Sequence, residues 1–211
     1  MLKKIILTLF FCLVASMALA SEEEELNTFL HKIQQTSRQA EAFSTDFIQE
    51  KHLAMLNKPV IFRGHLSLIR PDKLRWQFTS PLPSALIFNG EQGMRCDSEG
   101  EATPFLLSSD PVMRVVAEQL WNWLGGDYLK LSKLYRLSKM EPASLVIHFD
   151  KEGAISKILS RVTIRFNEKS LQPEQVKIVE RGGDFTRIFF KNPQLNIPLA
   201  DDLFSRCDIN E

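Results

Sequence analysis

The chain has 211 residues and carries 26 basic and 26 acidic side chains. That balance provides no basic field for nucleic acid. A hydrophobic fraction of 44% with 25% charged residues belongs to a globular domain, not a disordered one. His31, His52, His65 and His148 are scattered, and the cysteines have no Cys-x-x-Cys spacing, so neither a metal centre nor thiol redox chemistry is indicated. Gly-x-Ser-x-Gly, His-Glu-x-x-His and P-loop patterns do not occur. The expectation is a binding protein without a cofactor, not an enzyme.

The chain opens with Lys3 and Lys4, an apolar run from Ile5 to Val14, and Ala18-Leu19-Ala20. This is the pattern of a signal peptide with a small-residue cleavage site, and the run is too short to span a bilayer. Residues 1–20 are read as the signal and 21–211 as a single domain. Loss of the two lysines leaves a net charge of about −2. Cys12 follows Phe11 inside the apolar run, unlike a lipoprotein cysteine, so the exported protein is expected to carry no lipid anchor. Cys96 and Cys207 remain. In an oxidising compartment they can pair, but nothing in their spacing brings them together, and two free thiols are equally compatible with the sequence.

Ser21 and Glu24 have capping-box spacing. Leu26, Phe29, Leu30 and Ile33 recur at helical period, which predicts a helix from about Glu22 to Ala40. From Phe43 the period changes to two: Phe43, Thr45, Phe47 and Gln49 share one face. Asp46 and Glu50 lie opposite Phe47 and read as solvated carboxylates. The stretch Val60 to Phe78 is a hairpin around Pro71-Asp72. Val60, Phe62, Gly64, Leu66, Leu68 and then Arg70 share a face, as do Leu74, Trp76 and Phe78 after the corner. His65 and Arg75 fall on the opposite, polar phase, and His148 is polar-phase in its own strand. Arg70 therefore ends an apolar face, where its guanidinium either emerges into solvent or needs acceptors.

Pro81 and Pro83 interrupt the strands. Ala85 to Phe88, the Asn89-Gly90 turn and Met94 to Cys96 form a second hairpin. Asp110 and Pro111 are an N-cap and N1 pair. The helix they start has an apolar face of Val112, Val115, Val116, Leu120 and Trp123, widened by Met113, Ala117, Trp121 and Leu124, and it ends at Gly125-Gly126. So wide an apolar circumference means burial on two sides or cover for a cavity. Strands are then predicted over Leu129–Leu137, Ser144–Phe149, Lys157–Phe166, Glu174–Glu180 and Phe185–Phe190, parted by turn material. Antiparallel strands with one polar face suit an open sheet or barrel. Fifteen phenylalanines and three tryptophans fit either a plain core or an apolar cavity.

Gly64-x-Leu66, Arg70-Pro71, Leu74-x-Trp76, Pro81 and Asn89-Gly90, in that order, resemble the signature of the LolA family, the periplasmic outer-membrane lipoprotein carriers. Phe43-x-x-x-Phe47-x-Gln49 resembles that family's first strand. Val176 to Phe190, with Asn192, Asn196 and Pro198, resembles its last hairpin and exit. The resemblance implies a mainly β, α+β fold, an unclosed antiparallel β-barrel covered by helices. It also implies a periplasmic, monomeric carrier that binds acyl chains of lipoproteins, taken from an inner-membrane donor and passed to an outer-membrane acceptor. Val60, Phe62, Leu66, Leu68, Leu74, Trp76, Phe78 and Phe88 are then expected to line the apolar cavity. Arg70 matches the arginine that bonds backbone carbonyls under the lid, which makes it the lid latch. Met94 and Cys96 stand where the family commonly has an aromatic pair. That departure leaves room for another acylated lipid cargo, a glycolipid or polyene-type chain in a dedicated export system. A lipid-acting enzyme on the same scaffold and a lipid-sensing domain are the remaining readings.

Overall fold

The computed structural model describes residues 22–150, 153 and 155–209. The signal-peptide reading and Ser21 of the capping box lie outside them. Helix α1 (22–38) buries Phe29, Leu30, Ile33 and Gln34, the stripe that its helical spacing requires. Six strands follow: β1 (Ala42–His52), β2 (Val60–Ile69), β3 (Lys73–Ser80), β4 (Ser84–Asn89), β5 (Gln92–Cys96) and β6 (Ala102–Leu106). Helices α2 (Pro111–Leu124) and α3 (Tyr128–Leu134) come next, then β7 (Arg136–Met140), β8 (Ser144–His148), β9 (Leu159–Phe166), β10 (Pro173–Glu180) and β11 (Phe185–Leu195).

All eleven strands join one antiparallel sheet in the order β6-β5-β4-β3-β2-β1-β11-β10-β9-β8-β7. The two edge strands, β6 and β7, are consecutive in the chain, and α2 with α3 connects them. The barrel is therefore unclosed, and the connection that would close it is helical. The concave face and the helices enclose a single apolar core that includes Leu66, Leu68, Leu74, Leu145, Ile147, Val162 and Ile164. Gly64 is part of that packing. A Cβ there would lie 2.5 Å from the Phe47 ring and 2.0 Å from the Gln77 carbonyl oxygen, so only glycine admits Phe47 at this point.

Three expectations are corrected. The predicted strand Leu129–Leu137 is helix α3 followed by β7. The Asp127 side chain accepts from Lys130 N and caps the helix. Gln34 of α1, itself buried, accepts from Leu129 N at 2.9 Å. Tyr128 and Leu131 are buried at i, i+3, so caps supplied by tertiary structure override an alternation that reads equally well as a strand. Strand β6 was not anticipated; it pairs with β5 from Gln92↔Leu106 to Cys96↔Ala102 and, as an edge, tolerates Pro104.

Arg75 lies on the outer phase, but it is buried, 3% exposed. The C-terminal segment 197–209, with a 3₁₀ turn at Asp201–Phe204, folds over that face. Arg75 donates from Nε to Gln77 Oε1 at 2.8 Å, and from its terminal nitrogens to the carbonyls of Leu203 (3.0 Å), Arg206 (2.7 Å) and Asp208. Phe204 and Ile209 pack there with Ala85, Ile87 and Cys96 in a second apolar cluster. Cys96 and Cys207 form a disulfide, with Cα atoms 5.5 Å apart. The choice left open by their spacing is settled by this fold-back.

Candidate functional site

Helix α2 begins with Asp110, whose carboxylate accepts from Val112 N and Met113 N, and Pro111 occupies the first turn. It ends at Gly125, whose N–H donates to Trp121 O at 2.7 Å. Gly126 follows at φ +82, a region that favours glycine. A Cβ on Gly126 would meet Ser37 Oγ at 2.0 Å.

Against this helix end lies Arg70. Its Nε donates to Ala40 O at 2.8 Å, and one terminal nitrogen donates to Ser37 Oγ at 2.8 Å and to Leu124 O at 3.3 Å. The other terminal nitrogen donates to Gly125 O. One guanidinium thus joins the last carbonyls of α2 to the last turn of α1, where unsatisfied carbonyls and the negative end of the helix dipole attract a cation. Burial lowers the Arg70 pKa and drives that of the nearby Tyr128 phenol well upward. The phenol donates to Trp123 O at 3.3 Å.

The hairpin residues expected to line a cavity divide into two groups. Leu66, Leu68, Leu74, Trp76 and Phe88 are buried in the continuous core beneath the helices. Val60, Phe62 and Phe78 are half-buried. The Phe78 ring touches Phe62 at 5.8 Å and Phe47 at 5.5 Å, edge to face. These half-buried residues lie at the sheet end from which the β1–β2, β3–β4 and β8–β9 connections depart, since neighbouring strands run antiparallel. Met55, Leu56 and Leu82, at the same end, are exposed.

At the flank of α2 the structure holds an apolar groove of about 490 Å³. One wall is the helix face Val112, Val115, Val116, Gln119, Leu120 and Trp123. The other is Ile155, Ile158 and Leu159, at the entry to β9. The wide apolar circumference of α2 has this cause: Met113, Ala117 and Leu124 are buried towards the sheet, and the valine edge faces the groove. The volume is in the range of small-molecule sites, about 300–1,000 Å³. Sequence reasoning missed the second wall. Its only signal was the unpaired apolar edge of α2, which did not say what stands opposite.

On the outer face, Ser44 Oγ and His65 Nε2 are 2.7 Å apart, and His65 Nδ1 is 3.0 Å from Asp46 Oδ1. The connectivity is that of a hydrolase triad, but access is reversed. Ser44 is 4% exposed, while the Asp46 side chain is 59% exposed. The would-be nucleophile is sealed and the acid open, so the set acts as a cross-strand polar clasp. The hydrogen bond from His65, aided by Asn192, lowers the Asp46 pKa. Among the described residues no group of three or more His, Cys, Asp or Glu side chains is placed to hold a metal ion, and no helix is long and apolar enough to cross a membrane.

These features define an unclosed β-barrel with helices across its concave face and an apolar groove at their flank. The chain belongs to the LolA family: residues 38–207 match the family described as outer membrane lipoprotein carrier protein LolA. Among solved structures, a conserved protein from Thermus thermophilus is similar with a TM-score of 0.52 and 6% identity, over 86% of this chain and 93% of that one. A DUF1329 family protein from Desulfovibrio piger gives 0.50 and 11%, over 87% and 97%. A LolA superfamily protein from Nitrosomonas europaea gives 0.46 and 11%, over 84% and 96%. At these identities the likeness is one of fold. No curated protein matches the sequence.

Proposed function

We propose that this protein is a periplasmic carrier that shelters the acyl chains of lipoproteins and moves them from an inner-membrane donor to an outer-membrane acceptor. The observation that carries the reading is the apolar groove beside α2 on a LolA-family fold. Acyl chains enter along the valine edge of α2. Movement of that helix away from the sheet extends the groove towards Phe62, Phe78 and the apolar floor of Leu66, Leu68, Leu74, Trp76 and Phe88. Burial of about 0.8 kcal/mol per methylene drives uptake. Nothing covalent is required. Arg70 is the latch: its bonds to the end of α2 favour the closed, empty state and so assist release.

Met94 and Cys96, which replace an aromatic pair, do not bear on the cargo in this reading. They pair with Ile87 and Ala85 and lie in the outer cluster under the C-terminal segment, away from the groove. A lipoprotein cargo therefore remains the preferred one.

Uptake is tested with a fluorescent fatty-acyl probe, which should bind in a saturable way and be displaced by a lipoprotein. A correctly folded protein that binds no probe would end the carrier reading. Export is tested by sequencing the N-terminus of protein recovered from the periplasm, which should start at Ser21. A chain still carrying Met1 would contradict the signal-peptide assignment.

A further inference from the structure

The sheet end at which the groove opens carries an apolar rim. Met55 is 87% exposed, with exposed Leu56 beside it, in a tight turn where Leu56 N–H donates to Leu53 O at 2.9 Å. Ile158, part of the groove wall, is 59% exposed just before β9. Ile61 is exposed at the start of β2. Hydrogen bonds tie these segments together. Ala54 N–H donates to Asp184 of the β10–β11 turn at 2.8 Å, and Arg181 N–H of that turn donates to Ile158 O at 2.9 Å. Single exposed apolar residues are ordinary, but a joined set of them marks an interaction surface. Each apolar tip also has an exposed lysine at hand: Lys58 after Leu56, and Lys157 before Ile158. Lys58, Arg63, Lys157 and Arg181 pair with no carboxylate among the described residues. The carboxylates of this sector are engaged: Glu180 with Lys51, Glu50 with Arg187, Asp150 with Arg136, and Asp184 with Ala54 N–H. Glu99 and Glu101 stand in the β5–β6 turn, on the far side of the β3–β4 connection from this sector.

We infer that this rim docks on an anionic lipid bilayer, with which the groove exchanges acyl chains directly. Met55, Leu56 and Ile158 enter the boundary between headgroups and acyl chains, and the cations beside them meet lipid phosphates. The tips project from separate segments. A fluid interface accepts such a shape, whereas a rigid partner would have to match it point by point. Ile158 belongs to both the rim and the groove wall. An acyl chain that leaves the bilayer at Ile158 therefore reaches the valine edge of α2 without exposing its methylenes to water, which is the unfavourable step in any transfer through solution. The inference rests on the carrier reading and names the surface with which that carrier exchanges.

The test uses the chain from Ser21 onward, so that the apolar run Ile5 to Val14 cannot hold a bilayer by itself. Its co-sedimentation is measured with vesicles of phosphatidylcholine alone and of phosphatidylcholine mixed with phosphatidylglycerol. At low salt the mixed vesicles are expected to bind at least about tenfold tighter, an advantage that high salt removes. Met55→Ser with Leu56→Ser should weaken binding about tenfold, and Lys58→Ala about fivefold. These residues are exposed and lie outside the groove lining, so both variants should keep wild-type affinity for a soluble acyl probe, which also reports that they fold. Transfer of the probe from loaded protein to mixed vesicles should accelerate in proportion to vesicle concentration, as collision requires. A transfer rate independent of vesicle concentration means that the chain leaves through water and overturns the inference. Vesicle binding that is absent, indifferent to lipid charge, or unchanged in the double variant also overturns it, while leaving the carrier reading intact. If the soluble probe is not taken up, the carrier reading falls and this inference with it. A dimer that is lost in the double variant would assign the rim to a second copy of the chain and likewise overturn it.

Discussion

Two arginines five residues apart staple opposite faces of the same hairpin. Arg70, at the end of the inner face, holds α2 and α1 through Gly125, Leu124, Ala40 and Ser37. Arg75, on the outer face, holds the C-terminal segment through Leu203, Arg206 and Asp208. Hydrogen bonds to a charged group contribute about 1.5–3 kcal/mol, so each substitution has a separable readout. Arg70→Leu removes the bonds that join the end of α2 to the last turn of α1 and puts an apolar side chain in their place. It is expected to fold and to release acyl cargo to acceptor membranes more slowly than wild type; release at the wild-type rate would show that Arg70 is no latch. Arg75→Leu leaves three carbonyls of the C-terminal segment without their donor instead. It is expected to lower unfolding stability in urea by about 2–3 kcal/mol and to leave the release rate unchanged.

At the scale of elements, α2 divides its labour by face. Met113, Ala117 and Leu124 anchor it to the core, while Val112, Val115 and Leu120 line the groove. Val115 is 39% exposed, so Val115→Glu is tolerated by the fold, with a change of about 0.5 kcal/mol or less. The same carboxylate placed in an apolar groove opposes acyl binding, because it must be desolvated or neutralised when the chain enters. Probe affinity should fall at least about tenfold with little change in melting temperature. A large drop in stability would mean that the edge belongs to the core and the groove is incidental. The caps of α2 were legible in Asp110-Pro111 and Gly125-Gly126, because capping is local chemistry. Helix α3 was not legible. Its Leu129–Leu137 stretch alternates well enough for a strand, and the decisive acceptor, Gln34 Oε1, lies 95 residues away.

Over the whole molecule, the C-terminal segment acts as a strap. It leaves β11, crosses the outer face of β3, β4 and β5, and is fixed by Arg75, by Phe204 and Ile209, and by the Cys96–Cys207 bond. That bond joins residues 111 apart in sequence, and cross-linking a loop of this size restricts the unfolded chain strongly. Reduction, or Cys96→Ala with Cys207→Ala, is expected to cost about 2–5 kcal/mol, read as a lower urea midpoint. Acyl-probe affinity should change little, because the strap is on the face away from the groove. Titration of the denatured, unreduced chain from Ser21 onward should find no free thiol; two per chain would contradict the bond.

The sequence by itself determined the strand hairpin of Val60 to Phe78, the glycine at 64, the ends of α2 and the family to which the chain belongs. Each is written in local periodicity, local capping or motif order. It also put Arg70 in phase with an apolar face and Arg75 in phase with a polar one. Phase states which side of a sheet a residue occupies, not what covers that side. Only the tertiary structure decided that the outer side is roofed by residues 197–209, so that Arg75 is as buried as the core. Only it brought Cys96 to Cys207, and Ile155, Ile158 and Leu159 opposite the valine edge of α2. Those contacts join segments tens of residues apart. Their formation depends on the curling of the sheet around one core, which no window of sequence contains.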